Sequence, residues 1–166
     1  TRDLRPQAYV LHLDGKEFRA RDFAPSALAR WQDEVLQALE LIGQWSGDPS
    51  LLAVENLESY PPEFVTPIVE RMPISRCVDV GHLWLDGHDA LRHLQSALHR
   101  TRVVHIHGVN ERDHVSLAHS EPEALDAVIS ILLKARFDGV LTLEIFELPD
   151  FETSVASFLD SVERCQ

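Results

Sequence analysis

Six ionisable side chains recur at one kind of position in this sequence. His12, Glu55, Asp79, His105, His107 and Glu144 each stand at or near the end of a short apolar run, and His82 follows Asp79 by three residues. A carboxylate in such a run is expensive to bury unless something compensates it. Imidazole nitrogens and carboxylate oxygens gathered at one end of successive strands form a donor set for a divalent cation. A bound cation is the compensating charge that makes the carboxylates tolerable. The chemistry to expect is metal-assisted.

Taken singly, each residue has a plainer use. His12 suits a hydrogen-bonded core histidine as well as a ligand. Glu55 and Glu144 suit structural ion pairs, although the strands supply few Lys or Arg partners. Asp79 and His82 are separated by one short turn, which brings both to one rim. His105 and His107 alternate across Ile106, so both face the same way. In the loop that follows, Asp113 and His114 are placed to fold back over that rim. His88, His93 and His99 sit on a polar helical stretch and are read as solvated. Arg19 and Arg21 are read as loop charges, and Cys77, inside a strand, as core packing.

The elements that must position these groups alternate. Apolar runs at 8–13, 51–56, 76–80, 102–107 and 139–146 read as strands. Between and after them, helical spacing marks 27–45, 62–71, 88–98, 122–135 and 151–164. Short apolar strands alternating with amphipathic helices predict βα units and a parallel sheet covered on both faces. About five units fit a doubly wound sheet or part of a (βα)8 barrel, and a full barrel takes ~250 residues. In either, the carboxyl ends of the strands form the functional face. The expected fold is α/β, a single domain over 1–166 forming the C-terminal part of a TIM barrel. Thr1 in place of a start methionine suits a fragment. Open strand edges then predict completion by a lost N-terminal part or by another chain.

Composition narrows the function classes. With 166 residues, 45% hydrophobic and 25% charged, the chain is ordinary globular material. No apolar run reaches the ~18–20 residues of a membrane span. Two distant cysteines, Cys77 and Cys165, give no disulfide framework, and a cytoplasmic setting is expected. The net charge of −12, with no Lys/Arg cluster, argues against a nucleic-acid partner. A small-molecule substrate is expected instead.

The ordered series Leu-Ala-Val-Glu-Asn-Leu, Val-Asp-Val-Gly-His, Val-Val-His-Ile-His-Gly, Asp-His-Val-Ser-Leu and Leu-Thr-Leu-Glu-Ile-Phe resembles the xylose isomerase-like TIM barrels. These include endonuclease IV-type enzymes and sugar isomerases and epimerases. The resemblance runs from about residue 8 to the C-terminus. It implies that His12, Glu55, Asp79, His82, His105, His114 and Glu144 occupy metal-ligand positions. Two features of the endonuclease IV pattern are missing. No earlier strand supplies its further ligand histidine, and Arg112 stands where it has an aspartate two residues before the loop histidine. Val-Leu-His-Leu-Asp-Gly, Glu-Asn-Leu-Glu-Ser-Tyr-Pro-Pro-Glu, Asp-Val-Gly-His-Leu-Trp-Leu and His-Ile-His-Gly-Val resemble, more closely, the cobamide-remodelling phosphodiesterases. That resemblance implies Glu58, Tyr60, Trp84 and His107 as substrate-binding residues.

The expected function is a metal-dependent phosphodiesterase acting on a small phosphorylated molecule, with the nucleotide loop of a cobamide as the implied substrate. Glu55 and Glu144 hold metals there, and His107 moves a proton. The alternative is a sugar isomerase or epimerase, in which Glu55, Asp79, His105 and Glu144 bind one cation and the two glutamates act as acid and base. Repair of abasic DNA and a non-catalytic fragment are the lesser expectations. Mixed His/carboxylate sites accept zinc, manganese, iron or cobalt, with zinc and manganese the first expectation.

Overall fold

The computed structural model describes residues 5–19 and 23–166, so Arg21 lies outside the described residues. Five strands form one parallel sheet, β1 (Tyr9–Leu11), β2 (Leu52–Glu55), β3 (Ser75–Asp79), β4 (Thr101–Ile106) and β5 (Val140–Leu143). Their spatial order is their sequence order, each strand pairing with the next. A doubly wound sheet reverses its order at a switch point. This one never does, so its winding is that of a barrel wall: a curled half-barrel with helices outside.

The helices are α1 (Pro25–Ser46), α2 (Thr66–Arg71), α3 (Val80–Leu85), α4 (Ala90–Ala97), α5 (Pro122–Lys134) and α6 (Leu148–Cys165). Proline opens α1, α2, α5 and α6 in the first turn, where a missing N–H costs nothing. Gly47 closes α1 in the left-handed conformation, φ 79°. The second helix begins at Thr66, later than the 62–71 span the spacing suggests. The helix between β3 and α4 has no counterpart in the sequence reading.

Residue parity sorts the strands into two faces. Val54, Val78, Val104 and Ile106 face outward into the apolar layers beneath the helices. Leu36 and Leu39 of α1 and Ile68 of α2 cover β2, while Leu94 of α4 and Leu125 and Ile129 of α5 cover β3 and β4. Each such fully buried side chain contributes about 1.5–3 kcal/mol. The opposite parity points to the barrel interior. Ala53, Cys77, Val103 and Val140 of β2–β5, with Ala8 just before β1, form one small apolar layer there. The ionisable residues stand above it on the same face.

Both ends of the row of strands are less covered. All of β5 is only partly buried, and Val10 of β1 is exposed. Trp45, Phe146, Leu148 and Leu159 are exposed on α1, just after β5 and on α6. No helix among the described residues is long and apolar enough to cross a membrane.

Candidate metal centre

Strand register decides which ionisable groups meet. Asp79 pairs with His105 across β3 and β4, while Glu55 pairs with Cys77 and so sits one step lower. Glu144 follows the last residue of β5, its N–H donating to the carbonyl of Ile106. These offsets converge on His105. Its Nδ1 is 3.0 Å from Glu55 Oε1, 2.7 Å from Glu144 Oε2 and 3.9 Å from Asp79 Oδ2. Ligating atoms of Glu55, Asp79, His105 and Glu144 all lie within 4.8 Å of one another.

A second group shares Asp79. Its other members, His82, His107 and His114, also bring ligating atoms within 4.8 Å. His107 Nε2 is 3.3 Å from Asp79 Oδ1, and His82 Nδ1 is 3.6 Å from Asp79 Oδ2. His114 arrives from the loop after β4, as its sequence suggests. A bridge between Gly108 and Val115 closes that loop, and the His114 ring stacks on His107 at 4.2 Å. On its other face it stacks against Phe146 at 4.6 Å. His114 holds φ at 53°, a left-handed conformation costing a non-glycine residue about 1–2 kcal/mol.

Two features fix Asp79. Its Oδ1 accepts from the His82 N–H at 2.7 Å and so caps α3. Asn56 clamps its backbone from the neighbouring strand: Nδ2 donates to the Asp79 carbonyl at 2.9 Å, and Oδ1 accepts the Asp79 N–H at 3.0 Å. The Asn56 carbonyl also lies 3.0 Å from His82 Nδ1. Asn56 is a positioning residue that the sequence reading missed. Its only signal is an amide directly after Glu55.

Five buried side-chain polar atoms among the described residues find no hydrogen-bond partner; His93 Nε2 and Ser120 Oγ lie elsewhere, and the other three are Asp79 Oδ2, Glu144 Oε2 and His107 Nε2. Glu144 Oε2 is close to His105 Nδ1, but off the direction of its N–H. All three belong to the two groups. No Lys or Arg among the described residues lies within 4.0 Å of Glu55, Asp79 or Glu144. The donors are imidazole nitrogens and carboxylate oxygens, which suit a divalent cation. The residues therefore fit a metal.

Without a metal, protons supply the compensation. Burial disfavours the His105 imidazolium, but the Cys77 sulfur and the Glu144 and Glu55 carboxylates beside it outweigh that and raise the ring to about 12. Burial pushes Asp79 up, yet the adjacent His107 and His82 rings and the His82 N–H hold it well below the usual range. Glu144 is lowered mainly by the neighbouring His105. Burial pushes the Cys77 thiol up to about 12. A cation entering the site takes the place of the His105 proton, since a ligating imidazole is neutral.

The other sequence candidates fall outside these groups. His12 is 60% exposed and reaches Glu55 Oε2 at 2.7 Å, so Glu55 joins two histidines. Glu58 Oε2 stands 3.7 Å from His82 Nε2, beside the site. Tyr60 is buried, its hydroxyl donating to Asp14 Oδ1 at 2.6 Å and its ring against Phe64. Trp84 packs against the apolar layer under α4 and α5. A helical turn after Gly81 carries it away from His82. A cavity of about 990 Å³ lies on the helical side, lined by Arg76, His93 and Arg100 and touching Tyr60 at one end. His93 is half-buried there, not solvated.

No protein-family model matches the sequence, and no curated protein matches it. Solved structures do match in fold. A D-tagatose 3-epimerase-like protein superposes with a TM-score of 0.73 at 18% identity, over 94% of this chain and 62% of that one. The likeness shows the fold, part of a TIM barrel. A 3-keto-D-glucoside 4-epimerase from E. coli gives a TM-score of 0.69 at 16% identity, over 94% of this chain and 63% of that one. The partial barrel thus spans about three-fifths of the length of both structures.

Proposed function

We propose that this chain carries the metal-binding wall of a metal-dependent sugar isomerase or epimerase. The group Glu55, Asp79, His105 and Glu144 carries this reading. One cation held there would polarise a substrate carbonyl and lower the cost of removing a neighbouring proton. Glu55 and Glu144 flank His105 from two sides. One glutamate takes the proton from the carbon beside the carbonyl, and the other returns a proton to that carbon or its neighbour. One fold neighbour is named an epimerase and the other epimerase-like, which supports this reading over the phosphodiesterase expected from the sequence. The test is deuterium wash-in from heavy water into a panel of ketoses and keto-glycosides, using protein loaded with manganese or zinc. Incorporation lost in Glu144→Gln supports the reading; none with any sugar in the panel removes it.

The group of Asp79, His82, His107 and His114 favours a second reading. A single cation held by the first group leaves these three clustered imidazoles without a metal. Two cations sharing Asp79 would supply hydroxide and hold the attacking and leaving oxygens of a phosphodiester. The substrate class is then a small phosphodiester, with the cobamide nucleotide loop carried by resemblance alone. In that arrangement His107 is a ligand through Nε2, which lies 3.3 Å from Asp79 Oδ1, while its Nδ1 is 3.0 Å from both the Gly108 carbonyl and the His114 N–H. Metal stoichiometry separates the readings. One equivalent that survives His114→Ala supports the isomerase; two equivalents, one lost with His114, support the hydrolase.

A further inference from the structure

Cys77 lies directly below Asp79 on the inner face of β3, in register with Glu55 on β2 and Val103 on β4. It is 1% exposed. The other apolar members of its layer are Ala8, Ala53, Val103 and Val140, so among them Cys77 alone carries a sulfur. Packing alone needs no sulfur there. The thiol also meets two ligating groups: its Sγ lies within 4.8 Å of ligating atoms of both Glu55 and His105, which are themselves buried.

We infer that Cys77, Glu55 and His105 form a separate, softer cation site one layer beneath the proposed centre, for a thiophilic divalent metal such as zinc, cobalt(II) or cadmium. Sulfur, nitrogen and oxygen donors are those of such metals, whereas the upper group of three carboxylates and one imidazole also suits manganese. On binding, the Cys77 thiol and the His105 ring each release a proton to solvent, and the metal takes their place. The two sites share Glu55 and His105, so one cation excludes the other. The inference rests on the reading above only for those two shared ligands. Its consequence is a choice between metals: a thiophilic cation seated low holds Glu55 and His105 away from Asp79 and Glu144.

The experiment titrates the purified chain with cobalt(II) and follows the sulfur-to-cobalt charge-transfer absorption in the near ultraviolet. Manganese binding is followed separately by electron paramagnetic resonance. The chain has only two thiols, Cys77 and Cys165, so the band has two possible sources. The band is expected in the wild type, in Cys165→Ser and in Asp79→Asn, and its loss in Cys77→Ser. Manganese binding is expected to survive Cys77→Ser, which also shows that this variant is folded. Bound cobalt without the band, or a band that follows Cys165, overturns the inference. Manganese bound without the cobalt band removes the lower site and leaves the upper one. The band without manganese binding removes the upper centre and leaves the lower.

Discussion

The imidazole of His107 occupies the space that a side chain at position 81 would need. A Cβ placed on Gly81 would clash with three atoms of that ring, so the glycine between Asp79 and His82 is what lets His107 pack against α3. Gly81→Ala is expected to displace His107 and open the group it forms with Asp79, His82 and His114. The strain should cost about 1–3 kcal/mol. Thermal unfolding with and without manganese checks this: the variant should melt lower and gain less from the metal.

Asn56 ties Asp79 to β2 through two backbone hydrogen bonds. Asn56→Ala leaves a buried N–H and carbonyl unpaired, at about 1–3 kcal/mol each. Groups that orient a ligand typically carry about 10–100-fold of metal affinity. A loss of that size by metal titration, with far-ultraviolet circular dichroism unchanged, is the expected outcome.

Away from the site, Asp126 of α5 accepts from Ser161 and, through both oxygens, from Arg164 of α6. The Arg164 and Ser161 bonds lower its carboxyl to about 2. A depressed carboxylate stabilises the fold above its unfolded value, near 3.8, and loses that contribution as pH falls through about 2. The α5–α6 clamp should therefore weaken between about pH 4 and pH 2. Asp126→Asn should melt lower than wild type at neutral pH, and the difference should shrink across that window.

The unpaired edges of β1 and β5 and the exposed Trp45, Phe146, Leu148 and Leu159 favour association. Sedimentation velocity of the chain alone should show oligomers that grow with concentration. Leu148→Lys with Leu159→Lys should raise the monomer fraction; a wild-type monomer at every concentration counts against this.

Legibility in the sequence followed range. Apolar runs capped by an ionisable residue marked all five strands, because the inner face of a parallel wall is apolar until its upper rim. The alternation of His105 and His107 put both on that face. It could not show that strand stagger sends His105 to Glu55 and Glu144 but His107 to Asp79, since that depends on pairing between strands. The six-residue α3 was hidden for a different reason: Val80–Leu85 is nearly all buried, so it has no polar face and no periodicity. Asn56 and Cys77 gained their meaning only from the β2–β3 register. Tyr60 and Trp84 read as substrate-binding aromatics, and their contacts with Asp14 and with the helical core are long-range ones that the sequence does not show.

The central claim is that Asp79, His105 and Glu144, with Glu55, hold a divalent cation. Metal content measured by plasma mass spectrometry after exhaustive dialysis tests it directly, on wild type beside Glu144→Gln and Asp79→Asn reconstituted with manganese. The account expects at least one equivalent retained by wild type and a drop of tenfold or more in affinity in each variant. Wild-type protein that retains no metal, or variants that bind it equally well, would contradict it.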